Sequence, residues 1–202
     1  ISIFNFHYAS PPTAVAQNYQ LNKVIGDNET GFKGTNDTHY RMEAWQFMLA
    51  GGGLYNNLDY SFVAGHEGGD FVYPKDQPGG GNAAFRKQMR VLSGFIYGFD
   101  FVRMKPDQNS ISSVRPKETQ VHTLAKPGAQ YAAYFFSKLS PTASAALEAN
   151  LKIPPGKYRV EWVDVLLGTV ARSETIQVKE SPVSAAFPEY KGEAALRVSR
   201  VR

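Results

Sequence analysis

The sequence predicts an α/β region followed by an all-β region in one chain of 202 residues. In residues 1–105, short apolar segments alternate with segments of helical spacing, and most of the glycines and aromatic residues lie there. Residues 117–202 instead carry short segments in which apolar and polar side chains alternate, as in half-buried strands. Residues 106–116 are polar and bounded by prolines, which predicts a linker.

The first region predicts three strands, each followed by a helix. The predicted elements are a strand at 1–7, a short helix opening at Pro11-Pro12-Thr13, a strand at 23–27, a helix at 40–49, a strand at 54–62 and a helix at 83–104. Alternating strands and helices imply parallel strands with right-handed crossovers. Three such units are either the last three of an eight-stranded barrel or a small open sheet.

The second region predicts about seven short strands and therefore a β-sandwich. They are expected at 121–125, 129–136, 145–151, 157–164, 169–171, 174–179 and 194–201. Tyr158, Val160 and Trp162 alternate with polar residues, so we expect their side chains in the sandwich core.

Composition excludes several classes of protein. The chain has no cysteine, which removes disulfides and thiolate sites, and its apolar runs are shorter than the ~20 residues that a membrane helix needs. The net charge of +4 is dispersed rather than gathered into the basic stripe of a nucleic-acid binder. Residues 1–6 already form a strand pattern with no leader before it, so we expect a fragment of a longer protein.

Polar side chains follow the first two predicted strands, at the edge where parallel sheets bind ligands. His7 and Tyr8 end the first strand, and Asp27 and Glu29 end the second. A period of two places Ile25, Asp27 and Glu29 on one face. A histidine bonded to backbone and carboxylates in a helix cap or solvated loop are the structural alternatives.

The third strand offers Asn57 and Asp59 on one face and Tyr60 on the other. Asp59 and Glu67 are the acids of this region that could partner Glu29 within the chain. The four histidines are widely spaced, so no metal site is predicted.

The segments 4–8 and 23–31 resemble the sixth and seventh strands of cellulase-like (β/α)8 glycoside hydrolases. In that superfamily a histidine and tyrosine end strand six, and the catalytic nucleophile ends strand seven. The segment 40–53 is similar to helix seven and strand eight of bacterial glycosidases of this type.

The segments 155–168 and 194–198 look like the core and last strand of the small β-sandwich, of collagen-binding type, that follows the barrel in those chains. The likeness departs at 164–168, where the family has a proline and a polar turn. The fold implied is the last three units of a (β/α)8 barrel followed by an antiparallel β-sandwich.

The resemblance implies a retaining glycoside hydrolase acting on a poly- or oligosaccharide, with Glu29 as nucleophile and no cofactor. The residues expected to contact substrate are His7, Tyr8, Asp27, Trp45, Asn57, Asp59 and Tyr60, with packing inside its helix as the alternative for Trp45. The acid/base of the family ends strand four, which this chain lacks. We therefore expect the chain alone to be inactive, and its first strand to be covered by the missing half of the barrel or by another chain. The family also implies a secreted or periplasmic bacterial protein, with neither nucleic acid nor membrane as a partner.

Two other interpretations remain open at this point. A non-catalytic carbohydrate-binding or adhesion protein would present an exposed aromatic platform on the sandwich, formed by Tyr131, Tyr134, Trp162 or Tyr190. Alternatively, Glu29 works with Asp59 or Glu67 inside this chain, and the chain is an enzyme by itself. If instead the chain is part of a glycoside hydrolase, as the resemblance implies, the side chains of Glu29, His7 and Asp59 should converge at one rim of the barrel.

Overall fold

The computed structural model describes residues 1–75, 79–137 and 145–201, except for the side chains of Ala145 and Pro188. The chain divides into two compact units, Ile1–Ser93 and Gly94–Arg202. The division precedes the boundary predicted at residue 105, because the end of the last helix packs with the β-rich unit. The rings of Phe95 and Phe99 lie 5.5 and 5.4 Å from the guanidinium carbon of Arg197.

The first unit contains three strands that alternate with helices, as the sequence predicts. In chain order the elements are β1 (Ile3–His7), α1 (Thr13–Asn18), β2 (Val24–Glu29), α2 (Asp37–Leu49), β3 (Leu54–Tyr55) and α3 (Ala83–Tyr97), which crosses into the second unit. The strands form one parallel sheet in the order β1-β2-β3.

The two faces of this sheet differ. On one face Ile25 packs with Val15 of α1 and Phe47 of α2, and all three are buried. The opposite face carries Ile3, Val24 and Leu54, which are about half exposed. Helices therefore cover one face of the sheet, and an apolar strip remains open on the other.

Helix α2 has clear start and stop signals. The side chain of Asn36 accepts a hydrogen bond from the backbone amide of His39 at 3.1 Å, and Asp37 lies in the first turn. Both features stabilise a helix N-terminus. The helix ends at Leu49, and Gly51 follows with φ +107°, a conformation that glycine adopts readily.

Two predicted elements of this unit are shorter than expected. The strand predicted at 54–62 is limited to Leu54–Tyr55, because the following asparagines favour turns over strands. The helix predicted at 83–104 ends at Tyr97, and a short 3-10 turn at Phe101–Arg103 follows. Gly98, which leaves room for Arg197, separates the helix from that turn.

The second unit is built of antiparallel strands. They are β4 (Lys105–Pro106), β5 (Ile111–Arg115), β6 (Gln120–Lys126), β7 (Gln130–Phe136), β8 (Ala145–Leu151), β9 (Gly156–Val163), β10 (Val170–Val178), β11 (Val183–Tyr190) and β12 (Glu193–Arg200). Six form a sheet in the order β10-β9-β12-β7-β6-β4, and three form a sheet in the order β11-β8-β5.

Both sheets contribute to one hydrophobic core. Tyr158, Val160 and Trp162 of β9 are fully buried, as their alternation predicts, and they share the core with Leu147 of β8 and Ala185 of β11. The stacked rings of Trp162 and Phe187, 5.5 Å apart, join the two sheets directly.

Three features of this unit differ from the prediction. Residues 106–116 are not a simple linker, since β4 pairs with β6 and β5 pairs with β8. The strands predicted at 169–171 and 174–179 are one strand, β10, whose register shifts between Val170 and Arg172. Strand β11 was not predicted, because its sequence contains Pro188, and proline is tolerated mainly in edge strands such as this one.

Candidate functional site

Glu29 ends β2 at the carboxyl edge of the parallel sheet, and a β-bulge sets its direction. Phe6 of β1 pairs with Asp27, but the next residue, His7, pairs with Glu29, so Asn28 is an extra residue in the ladder. Paired residues of neighbouring strands share a face, and Glu29 therefore faces the same side as His7. The prediction that Asp27 and Glu29 share a face is wrong, because a period of two holds only in an unbulged strand.

Two residues of β1 and its end hold the Glu29 carboxylate. The hydroxyl of Tyr8 donates a short hydrogen bond to Oε1, and Nδ1 of His7 lies 3.5 Å from Oε2. The backbone amide of Tyr8 also donates to the carbonyl oxygen of Glu29 at 2.8 Å. The hydrogen bond to this carboxylate raises the pKa of Tyr8 to about 12.

The position of Tyr8 depends on an uncommon backbone conformation. Its φ is +60°, in the left-handed region that aromatic residues rarely adopt. Phe32, with φ +65°, is the second aromatic residue in that region, and the two rings lie 5.3 Å apart. Such backbone outliers cluster at functional sites, where surrounding contacts stabilise them.

Asp27 is buried on the helix-covered face, with 1% of its surface exposed. Its Oδ2 accepts a hydrogen bond from the backbone amide of Ala9 at 3.2 Å, while Oδ1 has no hydrogen-bond partner among the described residues. Burial raises the pKa of this carboxyl to about 6. This position excludes the substrate contact predicted for Asp27.

A polar network that the sequence did not predict lies behind Tyr8. The hydroxyl of Tyr55 is 3.1 Å from Oγ1 of Thr30 and 3.5 Å from Oε2 of Glu43, whose Oε1 pairs with His39 at 2.8 Å. Burial raises the pKa of Tyr55 above its usual range. The spacing of His39 and Glu43, four residues apart on one helix, was the available signal.

An open cleft of about 340 Å³ adjoins this network. Its lining residues are Tyr8, Ser10, Thr30, Gly31, Phe32, Lys33, His39 and Glu43. Tyr8 thus contacts Glu29 through its hydroxyl and also contributes to the wall of the cleft.

The predicted convergence of Glu29, His7 and Asp59 is only partly present. Glu29 and His7 are in contact, whereas Asp59 pairs with Arg86 at 2.9 Å and accepts a hydrogen bond from the Ser61 hydroxyl at 2.5 Å. Within the part of the chain that the structure describes, no hydrogen bond or ion pair joins Asp59 to either of the other two. Its partners indicate a structural role in the loop after β3.

The other residues predicted in this loop also have local partners. The side-chain amide of Asn57 donates to the carbonyl oxygen of Leu58 at 3.2 Å, and the ring of Tyr60 packs against that of Tyr73. Glu67 is exposed and accepts a hydrogen bond from Gly65, which lowers its pKa. Among the described residues, no hydrogen bond or ion pair joins any of these three to Glu29, although Tyr60 interacts electrostatically with Tyr8.

Two aromatic predictions are corrected by burial. Trp45 is fully buried in α2, so its predicted contact with substrate is excluded and the packing alternative is correct. The aromatic platform predicted for the sandwich, formed by Tyr131, Tyr134, Trp162 or Tyr190, does not exist, because all four residues are at most 4% exposed. These side chains form the core instead.

Residues 1–75, 79–137 and 145–201 contain no cluster of three or more His, Asp or Glu residues that could hold a metal ion. Over the same residues, none of the helices is both long enough and apolar enough to cross a membrane.

Comparison with solved structures identifies the class of fold. The chain is similar to glycoside hydrolases, although no family model and no curated protein matches it. A glycoside hydrolase family 5 protein from Bacteroides vulgatus ATCC 8482 superposes with a TM-score of 0.59 at 16% identity, over 93% of this chain and 44% of that one. A GH30 endoxylanase from Clostridium papyrosolvens C71 gives 0.58 at 12% identity, over 100% and 49%.

A third structure, described as a glycoside hydrolase, gives a TM-score of 0.56 at 16% identity, over 88% of this chain and 42% of that one. The chain therefore spans less than half the length of these structures. At such identities the likeness establishes a glycoside-hydrolase-like fold.

Proposed function

We propose that this chain is part of a retaining glycoside hydrolase that cleaves O-glycosidic bonds of a poly- or oligosaccharide, with Glu29 as its nucleophile. The observation that carries the proposal is the placement of Glu29 at the carboxyl end of a parallel strand. There the Tyr8 hydroxyl and the His7 ring flank a carboxylate whose side chain is 31% exposed. The likeness to three glycoside hydrolase structures supports the class of reaction.

In this mechanism the carboxylate of Glu29 attacks the anomeric carbon, and a second carboxyl group protonates the departing oxygen. Water then hydrolyses the glycosyl-enzyme. The hydroxyl of Tyr8 donates a hydrogen bond to Oε1 of Glu29 and fixes the orientation of the carboxylate. His7, half exposed beside it, is placed to bond a sugar hydroxyl.

The second carboxyl group is proposed to lie outside these 202 residues. In retaining enzymes the two carboxyl groups are about 5 Å apart. Within the described part of the chain, Asp27 faces away from Glu29, Asp59 is paired with Arg86, and Glu67 lies on an exposed loop. We therefore expect the chain alone to be inactive.

The proposed architecture is the last three units of a (β/α)8 barrel, strands six to eight, followed by a β-sandwich. Support comes from the parallel sheet, from the helices on one of its faces, and from the half-exposed Ile3 and Val24 on the other, which a closed barrel would bury. The two antiparallel sheets with one core support the sandwich. We also propose that the enzyme is bacterial and is secreted or periplasmic, because its proposed substrate is a polymer outside the cytoplasm.

Mechanism-based labelling tests the nucleophile. Dinitrophenyl glycosides of 2-deoxy-2-fluoro-glucose and -xylose trap the covalent intermediate and need little acid catalysis, because their leaving group is already activated. A longer natural protein that contains this chain should be labelled on the peptide carrying Glu29, and Glu29→Gln should prevent labelling. Asp59→Asn removes the carboxylate that pairs with Arg86 and serves as the matched control.

The outcomes separate the parts of the proposal. Covalent label on a residue other than Glu29 overturns the assignment of Glu29 as the nucleophile. A reaction product of inverted anomeric configuration, formed by the longer natural protein, overturns it as well. Turnover of an unactivated oligosaccharide by the 202-residue chain alone overturns the external acid/base.

A further inference from the structure

We infer that Asp27 is a positioning residue, which acts through the backbone of Ala9 to hold the Tyr8 hydroxyl on Glu29. The inference deepens the proposed function and rests on it for its catalytic meaning. It assigns a role to a buried acid on the face of the sheet that does not carry Glu29.

The first step is the cost of the Tyr8 conformation. A non-glycine residue in the left-handed region is disfavoured, and it persists only where neighbouring contacts hold it. Tyr8 at φ +60° therefore requires such contacts on both sides of its Cα.

The second step identifies those contacts. On one side, the amide of Tyr8 donates to the carbonyl oxygen of Glu29 at 2.8 Å. On the other side, the amide of Ala9 donates a hydrogen bond to Oδ2 of Asp27 at 3.2 Å. The amide of Ser10 donates to the carbonyl oxygen of Tyr8 at 2.9 Å. Asp27 is the side chain that holds the far end of this turn.

The third step concerns the burial of Asp27. A carboxyl group with 1% exposure and one unpartnered oxygen is costly unless it has a specific task. The charged and titratable groups around it are Glu43 on α2, Tyr55 on β3 and His7 on β1. None of these side chains makes a hydrogen bond or ion pair with it in the described part of the chain. Its donors are backbone amides: that of Ala9 at 3.2 Å and, with a smaller effect on its pKa, that of Glu29.

These steps link the two faces of the sheet. The bulge at Asn28 directs Asp27 and Glu29 to opposite sides, and the turn at Tyr8 crosses the strand end between them. Asp27 binds the backbone of that turn, and Glu29 binds its side chain. Asp27 thus fixes the backbone of the turn, and Glu29 accepts the hydrogen bond of the Tyr8 hydroxyl.

A matched pair of substitutions tests the link on the 202-residue chain. Asp27→Asn and Asp27→Leu both replace the carboxyl group by a neutral group of the same branching, but only asparagine retains an acceptor for the Ala9 amide. Tyrosine-selective carbon labelling reports the ring of Tyr8, and Tyr8→Phe identifies its signal. Hydrogen exchange reports the Ala9 amide.

We expect Asp27→Asn to retain the wild-type Tyr8 signal and Ala9 protection. Asp27→Leu should move the Tyr8 signal away from its wild-type position and accelerate Ala9 exchange about tenfold, as the loss of one hydrogen bond predicts. An unchanged Tyr8 signal in folded Asp27→Leu overturns the inference. If that variant does not fold, Asp27→Val replaces it. An Ala9 amide that is not protected from exchange in the wild-type chain also overturns the inference.

The labelling rate of Glu29 separates this inference from the proposed function. In the longer natural protein, Asp27→Leu should slow labelling at least tenfold, and Asp27→Asn should restore most of the rate. Asp70→Asn, which neutralises an exposed acid elsewhere, controls for charge. Wild-type protein that is never labelled refutes the function, whereas equal labelling of Asp27→Leu and wild type refutes the positioning role alone.

Discussion

Neutralising Asp27 should remove a pH dependence of folding stability. Its carboxyl pKa is about 6 in the folded chain and 3.8 in the reference state, mainly because burial disfavours the charged form. Between these values the folded state binds more protons than the unfolded state, so the free energy of unfolding falls as the pH rises. The stability is thus greatest below the unfolded pKa and is lost as the pH passes the folded one.

The size of the effect follows from the two pKa values. A shift of about two pKa units corresponds to about 3 kcal/mol in total, of which about 2 kcal/mol is lost between about pH 4 and about pH 7. Glu67 and Asp100, whose pKa values are lowered, contribute with the opposite sign. Because both remain in the variant, the difference between wild type and Asp27→Asn isolates Asp27.

The assay is urea unfolding of both proteins across this pH range. Trp45 and Trp162 are the two tryptophans, one in each unit, so a Trp162→Phe background makes the fluorescence report the unit that contains Asp27. The stability difference between Asp27→Asn and wild type should grow in favour of the variant as the pH rises. If the stability difference between the two proteins stays constant within about 0.5 kcal/mol across this pH range, the raised pKa of the buried Asp27 carboxyl group is refuted.

Two further substitutions test the packing. Gly80→Ala would place a methyl group 2.5 Å from the ring of Tyr40, so we expect a loss of roughly 1–3 kcal/mol from overpacking, measured by urea unfolding, whereas Gly68→Ala, which meets nothing within 4 Å, should change little. Trp162→Ala should destabilise the β-rich unit by about 3–5 kcal/mol in thermal unfolding, because Trp162 is fully buried. Leu167 is exposed, so Leu167→Ala should change the stability by no more than about 0.5 kcal/mol. Equal effects of the two substitutions would contradict the position of Trp162 in the core.

The sequence was sufficient to predict the end of β1 and the position of His7 and Glu29 at one edge of the sheet, because apolar runs and polar ends follow directly from burial in a parallel sheet. It was not sufficient to predict the face of Glu29. A bulge depends on how two distant strands pair, and the period of one strand contains no sign of it. Trp45 shows the same limit, since an aromatic residue on a helix can face the core or a ligand.

In the β-rich unit, the strong alternation around Trp162 predicted its strand and its core position correctly. Strand β11 was missed because it contains Pro188, and the pairing of β4 and β5 was missed because residues 106–116 are polar and bounded by prolines. Their extended conformation depends on partners far along the chain: β5 and β11 both pair with β8. Non-local pairing of this kind overrides weak local preference.

The bulge at Asn28 makes the site depend on how two strands pair more than on the residue at that position. The Asn28 side chain is exposed, and its backbone carbonyl oxygen is the group that receives a bond, from Asn56 at 3.1 Å. Many residues are therefore acceptable at position 28. Even its deletion would leave Glu29 directly after Asp27, on the opposite face from Asp27 and on the same face as His7. The arrangement requires only that Asn28 stays outside the ladder, because a regular strand of the same length would turn Glu29 to the helix-covered face beside Asp27.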